Sequence, residues 1–203
     1  MTSSNQEIEV KFCVRSLSAL PVRLESLGAR TAQPRVWERN LRFDTARGDL
    51  RQAGRVLRLR QDEAAHLTYK GPGEVHGGVQ HRVEIEMVVD GFDQARAFLE
   101  ALGYEVAMAY EKYRTTYALE GNLVTLDETP LGRFVEIEGT APVSIARLAD
   151  RLALEWEARI NDSYVALFER ARAALGLEFQ DLTFDNFRGV EVKPQHLGVR
   201  FAD

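Results

Sequence analysis

One cysteine, Cys13, stands among 203 residues, which excludes an internal disulfide framework and any cysteine-based zinc site. A lone thiol fits a reducing cytoplasm, the location expected here, and reads as a small packed side chain. His66, His76, His81 and His196 show no metal-ligand spacing. The only tryptophans, Trp37 and Trp156, read as core aromatics rather than base-stacking platforms. No apolar run approaches the roughly 20 residues of a membrane span. The stretch Met1–Gln6 lacks both a basic and an apolar region, so no signal peptide is expected. A basic excess is missing too. The formal net charge of -5 and pI near 5.5 argue against a general nucleic-acid or membrane-surface binder. No repeat of solenoid length and no convincing linker interrupt the chain, so a single domain is expected.

What is present is an ordinary core-forming composition, 45% hydrophobic and 28% charged, with an unusual arrangement of its charges. In Glu7-Ile8-Glu9-Val10-Lys11-Phe12, strand alternation puts Glu7, Glu9 and Lys11 on one face and Ile8, Val10 and Phe12 on the other. The same split recurs in Arg55 to Arg60, His66 to Lys70, Gln80 to Val89, Tyr104 to Leu119, Leu123 to Thr129 and Arg133 to Gly139. Gln33 to Asp44 also reads as extended. Helical spacing occupies Leu17 to Leu27, Phe92 to Leu102 and Val143 to about Leu175, and Gly176 to Asp203 is irregular. Turn signals fall at Gly71-Pro72-Gly73, Gly77-Gly78, Gly121-Asn122 and Pro130-Leu131-Gly132.

A solvated sheet face would carry more Ser, Asn and Gln, and its charges would not sit in the middle of strands. The helices also need an apolar surface to cover. The pattern therefore predicts an α+β fold: an eight-stranded antiparallel closed β-barrel, a tunnel with a polar charged lumen, with helices packed on the outside. Buried charges are costly unless they pair or bind ions. Acids at Glu7, Glu9, Glu84, Glu86, Asp127, Glu136 and Glu138 face bases at Lys11, Arg58, Arg60, Lys70, Arg82, Lys112 and Arg114. The bland interpretation is a mutual ion-pair network. The functional one is a wet tunnel holding a polyanion on the bases and Mg²⁺ or Mn²⁺ on the hard carboxylate oxygens.

The ordered motifs resemble a known set. Glu7-Ile8-Glu9-Val10-Lys11 matches the ExExK signature of the CYTH superfamily, the triphosphate tunnel metalloenzymes. Phe43-Asp44-Thr45, Leu57-Arg58-Leu59-Arg60, Leu67-Thr68-Tyr69-Lys70-Gly71-Pro72, Arg82-Val83-Glu84-Ile85-Glu86 and Glu111-Lys112-Tyr113-Arg114 follow in family order. So do Leu126-Asp127-Glu128, Gly132 to Gly139 and Asp162-Ser163-Tyr164. The resemblance implies a triphosphate-tunnel domain over residues 1–175 and a C-terminal extension over 176–203. Glu7, Glu9, Asp127, Glu136 and Glu138 are then metal ligands for Mg²⁺ or Mn²⁺, and Lys11, Arg58, Arg60, Lys70, Arg82, Lys112 and Arg114 grip phosphate. Glu84 and Glu86 orient neighbouring bases. One departure stands out: relatives often have a tyrosine just before the Phe-Asp-Thr motif, where this chain has Leu41-Arg42. That tyrosine, with a lysine like Lys70, is thought to prepare the attacking water, a task Arg42 cannot perform.

The resemblance, which spans class IV adenylyl cyclases, thiamine triphosphatases and inorganic triphosphatases, implies two chemistries. The first is a metal-dependent phosphohydrolase acting on inorganic, thiamine or nucleoside triphosphate, with Lys70 and Glu86 as catalytic groups. The second is a class IV-type adenylyl cyclase forming cyclic AMP and pyrophosphate. A non-catalytic polyphosphate-binding module is a third reading, and the full acid set weighs against it. The expected partner is a small-molecule triphosphate, with no nucleic acid and no membrane, and a homodimer is compatible with the sequence.

Overall fold

The computed structural model describes residues 6–203. Its strands are β1 (Gln6–Val14), β2 (Arg30–Asp44), β3 (Val56–Gln61), β4 (Ala65–His76), β5 (Val79–Val89), β6 (Glu105–Leu119), β7 (Asn122–Thr129), β8 (Gly132–Glu138) and a two-residue β9 (Arg159–Ile160). The helices are α1 (Leu20–Ser26), α2 (Asp49–Gln52), α3 (Phe92–Ala101), α4 (Pro142–Arg151) and α5 (Tyr164–Leu175). Eight strands form an antiparallel ring in the order β5-β4-β3-β2-β6-β7-β8-β1, closed because β1 also pairs with β5. Residues Gln6 to Glu9 of β1 pair with β5, and Glu9 to Val14 pair with β8. The expected α+β ring with a charged interior is what the chain builds.

Turn chemistry sets the register. Gly77 and Gly78 connect β4 to β5 with φ of 60° and 81°, a two-residue hairpin in which both positions need the left-handed region. A Cβ at Gly78 would also lie 2.8 Å from Arg159 Nε. The β6–β7 turn sits one residue earlier than expected, on Glu120-Gly121, and Asn122 opens β7. There the Asn122 amide donates to the Leu119 and Glu120 carbonyls at 3.3 and 3.2 Å. α1 starts at Leu20 rather than Leu17, because Ser16 Oγ accepts from the Ser18 amide at 3.2 Å and holds a turn before the helix. The single helical stretch expected from Val143 is split. It breaks at Ala153, which has a φ of 54°, and the chain then supplies β9, which pairs with Lys11 and Phe12 of β1.

The ring's outer wall is apolar where helices cover it. Val10, Phe12, Val124, Val135 and Ile137 pack against Ile145, Leu148 and Ala149 of α4 and Leu20 and Leu24 of α1. Leu41, Phe43 and Leu59 pack against Leu99 of α3. Each fully buried side chain of this size contributes about 1.5–3 kcal/mol, which ties the inward orientation of Glu7, Glu9 and Lys11 to the outward burial of Val10 and Phe12.

A third apolar cluster lies on the lumen face itself. Continuing along the charged face, Lys11 gives way to Cys13, Glu136 to Phe134, and Lys112 to Tyr110 and Met108. These residues form a core with Tyr164, Leu167, Phe168 and Ala171 of α5. α5 therefore seals one end of the ring rather than lying on its outer wall. Ser163 caps the helix by accepting from the Ala166 amide at 3.2 Å, and Gly176 ends it at φ 66°. Residues 176–203 are irregular, as expected, but firmly seated. Leu182, Phe187 and Leu197 join the same core. Leu182 exchanges backbone hydrogen bonds with Ala109 and Glu111 at 2.9 and 3.0 Å, and the Ala202 amide donates to the Cys13 carbonyl at 2.9 Å.

Candidate functional site

The ring encloses a cavity of about 400 Å³, lined by charged and hydroxyl side chains from every ring strand and by Tyr164 of α5. Its walls hold all of the charged residues singled out from the sequence except Asp127, which is fully buried just beneath the surface. The structure brings these residues together in three groups.

The first group is a neutralised network beside the plug helix. Asp127 accepts from Arg114 Nε and Nη2 at 2.6 and 2.5 Å, from Lys112 Nζ at 3.1 Å and from the Tyr164 hydroxyl at 2.8 Å. Glu136 pairs with Lys11 Nζ at 2.5 Å and with Arg114, and Thr125 donates to it at 3.4 Å. Burial works against the Lys11 ammonium, but Glu136 and Glu9 outweigh it and hold its pKa above the ordinary value. Burial likewise opposes the Glu136 charge, and Lys11 and Arg114 overcome it, keeping that carboxyl well below the usual range. The Tyr164 hydroxyl is pushed well up by burial and by Asp127, so it remains a donor.

The second group frames the arginines of β3. Arg58 donates to Thr68 at 3.1 Å and to Glu86 at 3.4 Å, and Thr68 donates to Glu86 at 2.8 Å. Arg60 reaches Glu86 at 3.4 Å and Asp62 at 3.2 Å, and His66 lies between those two acids at 3.3 and 3.4 Å. Burial would raise the Glu86 pKa, but Arg60, Thr68 and Arg58 lower it. Glu38 of β2 sits below, fully buried, 3.5 Å from Lys112 and 3.8 Å from Arg60. Despite its burial, Lys112, Arg114 and Arg60 bring its pKa down to about 2. Glu38 escaped sequence reasoning, although it shares its alternation with Asn40, Arg42 and Asp44. Bulges at Thr31/Gln33 and Gln33/Val36 shift the phase of the strand before it.

The third group is acidic and short of partners. Lys70 holds Glu7 at 2.6 and 2.8 Å and Glu84 at 3.1 Å. Burial works against the Lys70 ammonium, but the charges of Glu9, Glu7 and Glu84 hold its pKa above the ordinary value, while burial and Glu84 outweigh Lys70 and hold Glu7 above the ordinary carboxylate range. Glu9 and Glu138 are direct cross-strand neighbours, and like charges so placed repel. Among the described residues neither has a cation within ion-pairing distance. Burial, then the charges of Glu7 and Glu9, push the Glu138 pKa up to about 7. Among the described residues no three His, Cys, Asp or Glu side chains already stand at coordination distance from one point. The chemistry of the donor set nevertheless fits a hard divalent cation, because three carboxylates with too little positive charge gain most from one. Asp127 and Glu136, also read as metal ligands from the sequence, spend their oxygens on lysine and arginine.

Tyr110 is a further lining residue that sequence reasoning passed over. Burial resists its ionisation, but Arg58, which donates to its hydroxyl at 3.5 Å, and Lys112 lower its pKa. No helix of the described residues is long and apolar enough to cross a membrane.

Comparison with known proteins follows the same lines. The CYTH domain profile matches residues 5–160. Over 134 residues the chain is 26% identical to a Methanocaldococcus jannaschii protein provisionally named an adenylate cyclase, covering 65% of this chain and 75% of that one. Its fold matches that of a Vibrio parahaemolyticus protein, also provisionally named an adenylate cyclase, with a TM-score of 0.73 and 23% identity over 80% of this chain and 97% of the other. It matches a Hippeastrum protein described as a provisional adenylyl cyclase with a dominant triphosphatase activity, with a TM-score of 0.62 and 23% identity over 80% and 95% of the two chains. At such identities the structural matches establish a shared fold. With more than half its length matched by the profile, this chain belongs to the CYTH domain family.

Proposed function

We propose that the chain is a divalent-metal-dependent phosphohydrolase acting on a triphosphate-bearing substrate held in the lumen. The observation that carries this is one 400 Å³ cavity in which Glu9 and Glu138 adjoin Glu7 with no ion-pair partner of their own among the described residues, while lysines and arginines line the rest of the wall. A protein needing only a stable interior would pair all these groups.

Glu9, Glu138 and Glu7 would hold Mg²⁺ or Mn²⁺, which when bound neutralises phosphate oxygens and polarises the phosphorus under attack. Lys11, Lys112 and Arg114 present donors from β1 and β6, and Arg58, Arg60 and Arg82 add guanidinium forks that match phosphate oxygens two at a time. Lys70 sits across the lumen with its charge secured by Glu7 and Glu84 and neutralises the phosphoryl group as it transfers. A water attacks the terminal phosphorus in line as the bridging P–O bond breaks, and the departing oxygen leaves on the shortened phosphate. Glu86, held anionic and lining the cavity, accepts the water proton. A weak base suffices because the loose transition state asks chiefly for positioning and charge stabilisation.

An adenylyl cyclase is the second reading, favoured by the names of the Methanocaldococcus and Vibrio relatives. Product analysis separates the two. Incubation with Mg²⁺ or Mn²⁺ and inorganic triphosphate, ATP or thiamine triphosphate is expected to release orthophosphate. Cyclic AMP with pyrophosphate would overturn the hydrolase assignment.

A further inference from the structure

Two of the lumen bases differ from the rest. Lys11, Lys70, Lys112, Arg58, Arg60 and Arg114 each have at least one carboxylate within 4.0 Å. Among the described residues, Arg42 and Arg82 have none. Among the described residues Arg82 donates only to the Gly71 carbonyl, at 3.2 Å, and its buried Nε finds no partner. Arg42 lines the cavity from β2. Its direct partner on β6 is Met108, and Tyr110 is the next residue on the same face. Burial lowers its pKa, Arg82 and its cross-strand neighbour Arg58 lower it further, and the Tyr110 hydroxyl and Asp44 of its own strand oppose them without prevailing. An arginine in such a place is costly until an anion arrives.

We propose, resting on the phosphohydrolase reading above, that Arg42, Arg82 and the Tyr110 hydroxyl form an additional anion subsite that takes a terminal, unesterified phosphoryl group. A terminal group carries two negative charges and three free oxygens, whereas a bridging one offers a single charge and two. Two guanidinium forks and a hydroxyl match the former. The ligand class is a condensed phosphate ending in a free phosphoryl group, whose sources are inorganic triphosphate and nucleoside triphosphates. Arg42 thus serves as a binding residue where a tyrosine is common in the family, which makes the subsite a property of this chain.

The test combines calorimetric titration with thermal melting of the wild type, Arg42→Gln and Arg42→Lys. The probes are inorganic triphosphate, ATP and diadenosine triphosphate, the last having no free terminal phosphoryl group. Arg42→Gln is expected to weaken inorganic triphosphate and ATP roughly tenfold to hundredfold, as loss of a charge-assisted pair would. Diadenosine triphosphate binding should not change, and Arg42→Lys should recover part of the loss by restoring charge without the fork. Without ligand, Arg42→Gln should melt at or above the wild-type temperature, because it removes an uncompensated charge. Equal weakening of all three probes, unchanged affinity for all three, or a lower melting temperature without ligand would each overturn the subsite while leaving the phosphohydrolase reading standing. A wild type that binds none of the probes would overturn both.

Discussion

Two groups of side chains in one lumen are built from the same residue types to different ends. Beside the plug helix, Asp127, Glu136, Lys11, Lys112 and Arg114 neutralise one another within 2.5–3.1 Å, and Asp127 is sealed from solvent. One rung further along β1 and β8, Glu9 and Glu138 have no cation within ion-pairing distance among the described residues, and elsewhere on the wall Arg42 and Arg82 have no carboxylate. The first set is a frame paired within itself, so a bound phosphate would share Lys11, Lys112 and Arg114 with their carboxylates. The second would gain most from the metal-bound triphosphate proposed above. Residue type alone does not show which of these charges are already paired; the order of the strands does.

The largest way to break this contrast is Asp127→Ala. It takes a buried carboxylate from both Arg114 and Lys112, leaving them Glu136 and Glu38, and removes the acceptor of Tyr164, and should cost about 3–5 kcal/mol in denaturant unfolding. A loss below 1 kcal/mol would show that the frame is not structural. Next, Leu182→Ala opens the seal over the lumen end and should cost about 2–5 kcal/mol; an unchanged unfolding midpoint would show that the C-terminal segment is dispensable to the plug.

On the ligand side the outcome reverses. Glu9→Gln should lower metal-dependent phosphate release on the order of 10²-fold, the scale of losing one well-placed electrostatic group, with stability unchanged or improved. Full activity in Glu9→Gln would remove it from the metal site. The smallest effect concerns Glu138, whose folded-state pKa of about 7 stands above the ordinary carboxyl value of 4.5. A raised pKa means that the folded protein binds the proton more tightly, so this group's stabilisation is fully present below pH 4.5 and is lost as pH rises through about 7. Glu138→Gln should therefore narrow the difference in melting temperature between pH 5 and pH 8 in metal-free protein. The effect is modest because Glu138 is partly open to solvent. Identical pH profiles for variant and wild type would contradict the acidic repulsion.

Most of the ring was legible because one periodicity carries it. Wherever two-residue alternation ran cleanly, as in Glu7 to Phe12 or Arg82 to Met87, it put the right side chains in the lumen. It lost Glu38 and Asn40, because bulges between Thr31 and Val36 break the phase of β2 before the strand reaches them. It also read only the charged part of each inner face. Cys13, Phe134, Tyr110 and Met108 continue those faces in apolar form, and that change of character is the local trace of the plug. What periodicity cannot supply is pairing. Whether Asp127 is a metal ligand or a partner of Arg114 depends on which strands adjoin, a property of ring order set by contacts far apart in the chain.

The unpaired side of β1 is shared in turn by β5, by β9 and by Phe201, which bridges to Cys13. Just beyond, Asp203 accepts from the Arg15 amide across a separation of 188 residues. The earliest strand of the ring is thus among the last to be completed as the chain emerges from a ribosome. Until then its exposed backbone is an edge open to pairing with other chains, and closure waits on the slowest kind of contact a polypeptide forms.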